Sequence, residues 1–365
     1  MTYSSFDELF LNDIPLLDVR APCEFQRGFF PMSVNLPILD DKERERVGTC
    51  YKEQGQQRAI ELGHALLSGV KKDTRVKAWC QFATTNPQGF LYCFRGGKRS
   101  HIAQQWLQEN NISYPLINGG YKALRTHLLQ TLDHYSSSLP LVLVSGKTGS
   151  GKTQLLPKLP CHIDLEQLAN HRGSSFGSVL TKQPTNITFE NALAIKMLKV
   201  AQQQPTQVYI EDEGTLIGRI SLPETLRARM LKLPAVLLTT SIEKRVKVSE
   251  KDYIVDLLIA YQDQYGMTDG LQRFIDHHKG ALKKIHKRFG ADNVKRSMKM
   301  FDAGVRQFTA DNSTDGFHPY IENLLTQYYD PMYEYQFQSK DRKIIFSGDA
   351  EAVEAWCNNQ RTAIT

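Results

Sequence analysis

At 365 residues the chain is too long for one ordinary core, and two or three domains are expected. Forty-five Lys and Arg against 39 Asp and Glu leave a net charge of +6, too small by itself to require a nucleic-acid partner, so the placement of the charge has to carry that argument. The six cysteines form no C-x-x-C pair and no zinc-like spacing, which argues against a disulfide framework and fits a reducing compartment. No basic segment followed by an apolar core opens the chain, and no stretch approaches the roughly 18 apolar residues of a membrane span. A soluble cytoplasmic protein with no membrane partner is expected.

In chain order, 14–20 and 34–38 read as short strands, and helical spacing runs from Ala59 to Val70. Segments 76–82 and 89–92 read as two more strands, and helical spacing returns from Ile102 to Leu107. Strands alternating with helices make an α/β domain over 1–135. Ser136-Ser137-Ser138 before Leu139-Pro140 is a polar linker, after which 141–145 reads as a fully buried parallel strand opening a second α/β domain over 136–255. Its further strands are expected at 162–164, 207–211 and 235–238. From about Asp256 the pattern turns helical and rich in Lys, His and Tyr, with one more strand at 343–346, so 256–365 reads as a mainly helical basic extension.

Two phosphate-sized cradles stand in this frame. The first, Cys93-Phe94-Arg95-Gly96-Gly97-Lys98-Arg99-Ser100, follows a buried strand and enters a helix. Amide N–H groups of a tight glycine turn and the positive end of a helix favour a thiolate there, so Cys93 is the expected nucleophile. Arg99 can offer a planar fork to a tetrahedral oxyanion, with Arg95, Gly96, Gly97 and Ser100 completing the cradle. Asp18-Val19-Arg20-Ala21-Pro22-Cys23-Glu24-Phe25 and Ile117-Asn118-Gly119-Gly120-Tyr121 resemble the opening signature and closing turn of the rhodanese family. Over about the first 135 residues the resemblance implies a rhodanese-like domain whose Cys93 carries a chalcogen. Arg99 lies six residues after Cys93, a spacing also found in cysteine-based phosphatases, so a cysteine-dependent phosphatase or arsenate reductase is the competing reading.

The second cradle, Gly146 to Thr153, fits G-x-x-x-x-G-K-[ST] between a strand and a helix start. Gly146, Gly149 and Gly151 let amides face phosphate oxygens, Lys152 adds charge, and Thr153 can ligate magnesium. Glu211-Asp212-Glu213 ends the next strand, and Asp212 is the candidate acidic wall for a metal, with no metal site certain. Arg172, Ser174 and Ser175 lie in a donor-rich loop suited to phosphate or RNA. Nucleoside triphosphate is the default ligand of such a loop, although any diphosphate ester could use it.

A rhodanese-like domain followed by a P-loop domain with this intervening loop resembles the bacterial tRNA 2-selenouridine synthase family over nearly the whole chain. The resemblance implies a transferase acting on tRNA with a wobble 2-thiouridine. It implies selenophosphate and geranyl diphosphate as co-substrates, no tightly bound cofactor, and an S-geranyl-2-thiouridine intermediate. The Cys93 thiolate is then expected to attack the selenium of selenophosphate, and an enzyme supplying selenophosphate is a possible partner. Lys283, Lys284, Lys287 and Arg288, within a basic run that includes His277, His278 and Lys279, are the candidate tRNA contacts. Tyr328, Tyr329, Tyr333 and Tyr335 fit core packing at least as well as base stacking. A regulatory ATPase with a cysteine-based phosphatase or redox-sensing domain, and an RNA-binding protein with vestigial cradles, are the alternatives from other classes.

Overall fold

The computed structural model describes residues 5–339 and 342–360. The chain divides into two compact units, Met1–Tyr135 with Thr185–Lys199, and Ser136–Pro184 with Val200–Thr365.

In the first unit, β1 (Leu16–Asp18) lies between β2 (Ser33–Asn35) and β3 (Phe90–Tyr92), all parallel. Every residue of β1 and β3 is buried, as parallel strands covered on both faces require. Beyond β3 the chain turns at Cys93 and enters the helix Lys98–Gln108, whose Ala103, Trp106 and Leu107 pack in the core beside Trp79. The expected strand at 76–82 is instead the middle of a helix, Val70–Thr85. Its buried residues, Val76, Trp79 and Ala83, recur at helical spacing, and the Trp79 indole donates to the Leu36 carbonyl at 2.9 Å. Ahead of it, Asp40 and Glu43 form a capping box on the helix Asp41–Leu66, which breaks at Gly55 with φ 85°. Residues 185–199 belong to this unit through the helix Asn186–Ala201, where the Asn191 amide donates to the Phe29 carbonyl at 2.9 Å and accepts from Arg125 at 2.8 Å.

The second unit is built on a five-stranded parallel sheet. Its strands are β4 (Leu141–Gly146), β5 (His162–Ile163), β6 (Val208–Glu211), β9 (Ala235–Leu238) and β10 (Ile344–Gly348), in the order β10-β9-β4-β6-β5. A small antiparallel pair, β7 (Leu216–Ile217) and β8 (Ile220–Ser221), stands apart. The central strand β4 is buried throughout and points its carboxyl end at the P-loop. Between β9 and β10 the chain forms a helical layer that includes Ile242–Glu250, Asp256–Tyr265, Met267–Phe289 and Ala291–Asp311. Phe274, Leu282, Phe301, Phe317 and Tyr320 form its core. β10 then returns the chain to the sheet beside β9.

His278 lies in that helical core and not on the basic face. Burial pushes its imidazole down to about 3, and both ring nitrogens are engaged, with Tyr320 Oη at 3.2 Å and the Tyr253 carbonyl at 3.0 Å. A neutral imidazole there adds nothing to the charge expected of this region. Among the described residues no helix is long and apolar enough to cross a membrane.

Candidate functional site

In the first unit the loop after β3 sets Cys93 at the foot of a turn whose fit depends on two glycines. Gly96 has φ +67°, and Gly120 has φ +59° at a place where a Cβ would collide with the Cys93 carbonyl and the Gly96 amide. Tyr121 and Lys122 amides donate to the Cys93 and Phe94 carbonyls at 2.9 Å each, tying the 117–121 turn to the loop. Cys93 is 3% exposed, and its Sγ lies 3.2 Å from the Oγ of Ser100, which is fully buried. Among the described residues the Phe94, Arg95, Gly96 and Gly97 amides donate to no protein acceptor. Arg95 is exposed, its guanidinium 5.7 Å from the Phe94 ring, so it stands at the rim of the loop.

Arg99 does not stand alone. Its two terminal nitrogens reach the two carboxylate oxygens of Glu24, at 2.5 and 3.1 Å, and Arg44 approaches Glu24 at 3.2 Å. Burial works to raise the Glu24 carboxyl, but the Arg99 hydrogen bonds and charge outweigh it and hold the group below the usual carboxylate range. Asp18 and Arg20 form a fully buried pair at 2.6 Å, and the Arg20 guanidinium lies 3.8 Å from the Tyr121 ring centroid. Beside Lys98 and Arg99 opens an apolar cavity of about 180 Å³, lined by Leu39, Val47, Ala59, Ile60, Ile102 and Trp106. Elsewhere in the chain a hydrogen bond to Asp41 raises the Cys23 thiol, and burial raises Cys80 and pushes Cys357 up to about 11.

In the second unit Gly149 (φ +76°) and Gly151 (φ +94°) shape the P-loop, and a side chain at Gly149 would strike Ser249 Oγ and the Arg245 carbonyl. Lys152 Nζ folds over the loop onto the Gly146 carbonyl at 2.8 Å. Arg245 donates to the Thr148 carbonyl at 3.0 Å and forks onto Asp330 at 2.9 and 2.6 Å, bracing the loop from the helical layer. Thr153 Oγ1 donates to Glu166 at 3.3 Å.

The acidic wall is not formed by Asp212, which accepts from Ser145 Oγ at 2.7 Å and pairs with the Arg342 guanidinium. The carboxyls that gather near Lys152 and Thr153 are Glu166, Glu211 and Glu213. Burial raises all three, with mutual repulsion adding to it for Glu211 and Glu213, which stand well above the usual range. Glu211 is fully buried, and its Oε1 has no hydrogen-bond partner.

Of the loop expected to meet phosphate or RNA, Arg172 is committed to the Asp252 carbonyl and to Asp256, Ser174 Oγ accepts from the Phe176 amide at 3.2 Å, and Ser175 Oγ lies 3.5 Å from Tyr328 Oη. Phe176 enters the helical core, where it borders a narrow apolar cavity running to Thr148 of the P-loop between Ile254, Leu324 and Tyr329. Lys283, Lys284, Lys287 and Arg288 are exposed on the helix Met267–Phe289, opposite its buried Phe274, Leu282, Ile285 and Phe289. Tyr328 and Tyr329 are buried, whereas Tyr335 is exposed.

The family described as the tRNA 2-selenouridine synthase AAA domain matches residues 139–364. A Marinobacter nauticus protein named tRNA 2-selenouridine synthase is 47% identical over 96% of this chain and 96% of its own length. Proteins of the same name from Pseudomonas fluorescens and Bordetella petrii are 46% and 45% identical, each over 96% of this chain and 95% and 94% of their own lengths. The chain belongs to the tRNA 2-selenouridine synthase family. The match to the family's AAA domain takes in the P-loop, the three glutamates and the basic helix, while the Cys93 loop lies in the part shared with the full-length relatives.

Proposed function

We propose that the protein is a transferase that converts wobble 2-thiouridine in tRNA to 2-selenouridine in two steps, one at each cradle. The P-loop holds the diphosphate of geranyl diphosphate, with Lys152, Thr153 and the loop amides stabilising the charge that develops as the thiouridine sulfur attacks the allylic carbon. The first unit, read as rhodanese-like, takes selenophosphate at the Cys93 loop, and selenium replaces the geranylated sulfur at C2. The observation that carries this reading is the presence, in a chain of this family, of two anion cradles of which only one holds a thiol.

The apolar cavity of about 180 Å³ next to Arg99 supports an isoprenoid group and suits a departing geranyl thiol. A magnesium ion fits the P-loop unit. Thr153, Glu166 and Glu211 would hold it, and the partnerless Glu211 oxygen is the atom that a hard cation would satisfy. Such an ion supplies charge neutralisation for a diphosphate leaving group. Lys283, Lys284, Lys287 and Arg288 form the surface proposed for tRNA phosphates. A cytoplasmic setting, and handover from an enzyme that makes selenophosphate, complete the reading.

The test is mass spectrometry of wobble nucleosides from 2-thiouridine tRNA treated with the protein and both co-substrates. S-geranyl-2-thiouridine should appear first and 2-selenouridine should follow. Strict dependence on ATP hydrolysis, with no change to the nucleoside, would instead favour a regulatory ATPase.

A further inference from the structure

The chemistry of selenophosphate constrains what Cys93 can do. Its selenium is already fully reduced and bonded to phosphorus. A thiolate attacking that selenium would leave the P–Se electron pair on phosphorus, releasing phosphite, and the sulfur-bound selenium would then need two electrons from a reductant. The opposite polarity balances without one. Selenium adds to C2 of the S-geranyl base, geranylthiolate departs with the C–S pair and takes up a proton, and the base is left carrying a Se–phosphoryl group. What remains is to cleave the P–Se bond at phosphorus.

We propose that Cys93 is the phosphoryl acceptor of this step and not a selenium carrier. Its thiolate attacks phosphorus, an S–P bond forms, and the P–Se pair leaves on the selenium of 2-selenouridine. Water then breaks the S–P bond and releases inorganic phosphate. The inference rests on the two-step reading above for its substrates, and on the loop itself for its chemistry.

Five residues separate Cys93 from Arg99, and the amides of Phe94 to Gly97 donate to no protein acceptor among the described residues, so the cradle has donors for the three oxygens of a phosphoryl group. Glu24 holds two of the five guanidinium N–H donors of Arg99, which fixes the plane of the fork and leaves three for phosphoryl oxygens. Ser100 Oγ stands 2.9 Å from the Gly97 carbonyl and 3.2 Å from Cys93 Sγ, so its single hydroxyl proton can turn from the carbonyl to the sulfur. There it stabilises a thiolate both as attacking group and, when water opens the S–P bond, as leaving group. A simple chalcogen carrier has no use for either the oxyanion fork or the second half of that exchange.

The experiment uses the full-length protein, S-geranyl-2-thiouridine tRNA and selenophosphate labelled separately at phosphorus and at selenium. Rapid quench of the parent should place the phosphorus label, and no selenium label, on the Cys93 peptide. Cys93→Ala should accumulate a nucleoside carrying both selenium and a phosphoryl group. Ser100→Ala should slow turnover and increase phosphorylated Cys93 at steady state. Selenium label without phosphorus on Cys93 overturns the inference, as does a Cys93→Ala protein that leaves the geranylated base free of selenium. In both cases the two-step reading survives, because the parent still makes 2-selenouridine. If the parent incorporates no selenium from selenophosphate, the two-step reading fails and the inference with it.

Discussion

Arg99 illustrates how far a single residue could be read from sequence. Its distance from Cys93 and the intervening glycines are the local pattern from which the proposed oxyanion cradle is read. The carboxylate that aims it was not legible, since Glu24 lies 75 positions away and its place in an Asp-Val-Arg-x-x-x-Glu-Phe run says nothing of what it touches. The same holds for Glu166, which reaches Thr153 from a separate segment, whereas Asp212, the central acid of Glu211-Asp212-Glu213, turned out to be taken by Arg342. Alternation along a strand puts neighbours on opposite sides, so of three consecutive acids the outer two belong together. Arg99→Ala should remove charge-assisted hydrogen bonds worth about 1.5–3 kcal/mol, weakening selenophosphate use roughly ten- to hundredfold, with inorganic phosphate losing potency as a competitor in parallel. Glu24→Gln should show the same trend more weakly, because the fork remains but its plane is less firmly held. Unchanged kinetics for selenophosphate in both variants would remove Arg99 from the cradle.

At the scale of elements, the strands of both sheets were legible as apolar runs bounded by turns, and β4 with its P-loop was plain. The 76–82 segment was not, because Val, Trp and Phe are strand formers by propensity and only the Val76, Trp79, Ala83 spacing discloses the helix. His278 was misread for a related reason: a histidine in a basic run gives no sign that its own helix face points inward. The acidic wall yields a pH prediction. Burial raises Glu211 and Glu213 above their unfolded values, so the folded chain binds protons that the unfolded chain has released. Their contribution to stability is therefore most favourable below the ordinary carboxyl range and declines as pH rises through the raised values. Without divalent ions, thermal unfolding at pH 8 should show Glu211→Gln to be more stable than the parent, with the difference shrinking towards pH 5. Magnesium should stabilise the parent increasingly as pH rises and leave the variant almost unmoved. A parent that ignores magnesium at every pH rules out the ion site. The apolar cavity near Arg99 gives a second check. Ala59→Phe, which fills it, should raise KM for pre-geranylated tRNA in the selenium step while geranylation is unaffected.

Taken whole, the molecule separates the two proposed reactions in a way that kinetics can read. The basic helix should act on both, since either step needs the tRNA. Neutralising Lys283, Lys284, Lys287 and Arg288 together should weaken tRNA binding at low salt and flatten its salt dependence by roughly 0.7–0.9 per lost phosphate contact. Lys152 and Cys93 should act on one step each. Lys152→Ala removes the cation that partners the departing diphosphate, so geranylation should fall while the Cys93 loop keeps its own donors. Cys93→Ala should do the reverse, geranylating the base and carrying it no further than the Se-phosphoryl nucleoside, with no 2-selenouridine. Pre-geranylated tRNA should therefore rescue 2-selenouridine formation in the Lys152 variant and fail to do so in the Cys93 variant, with wobble nucleosides quantified by mass spectrometry after equal times. Rescue of neither, with tRNA binding intact in both, means that the two cradles serve one concerted reaction and that the division of labour drawn from their chemistry is wrong.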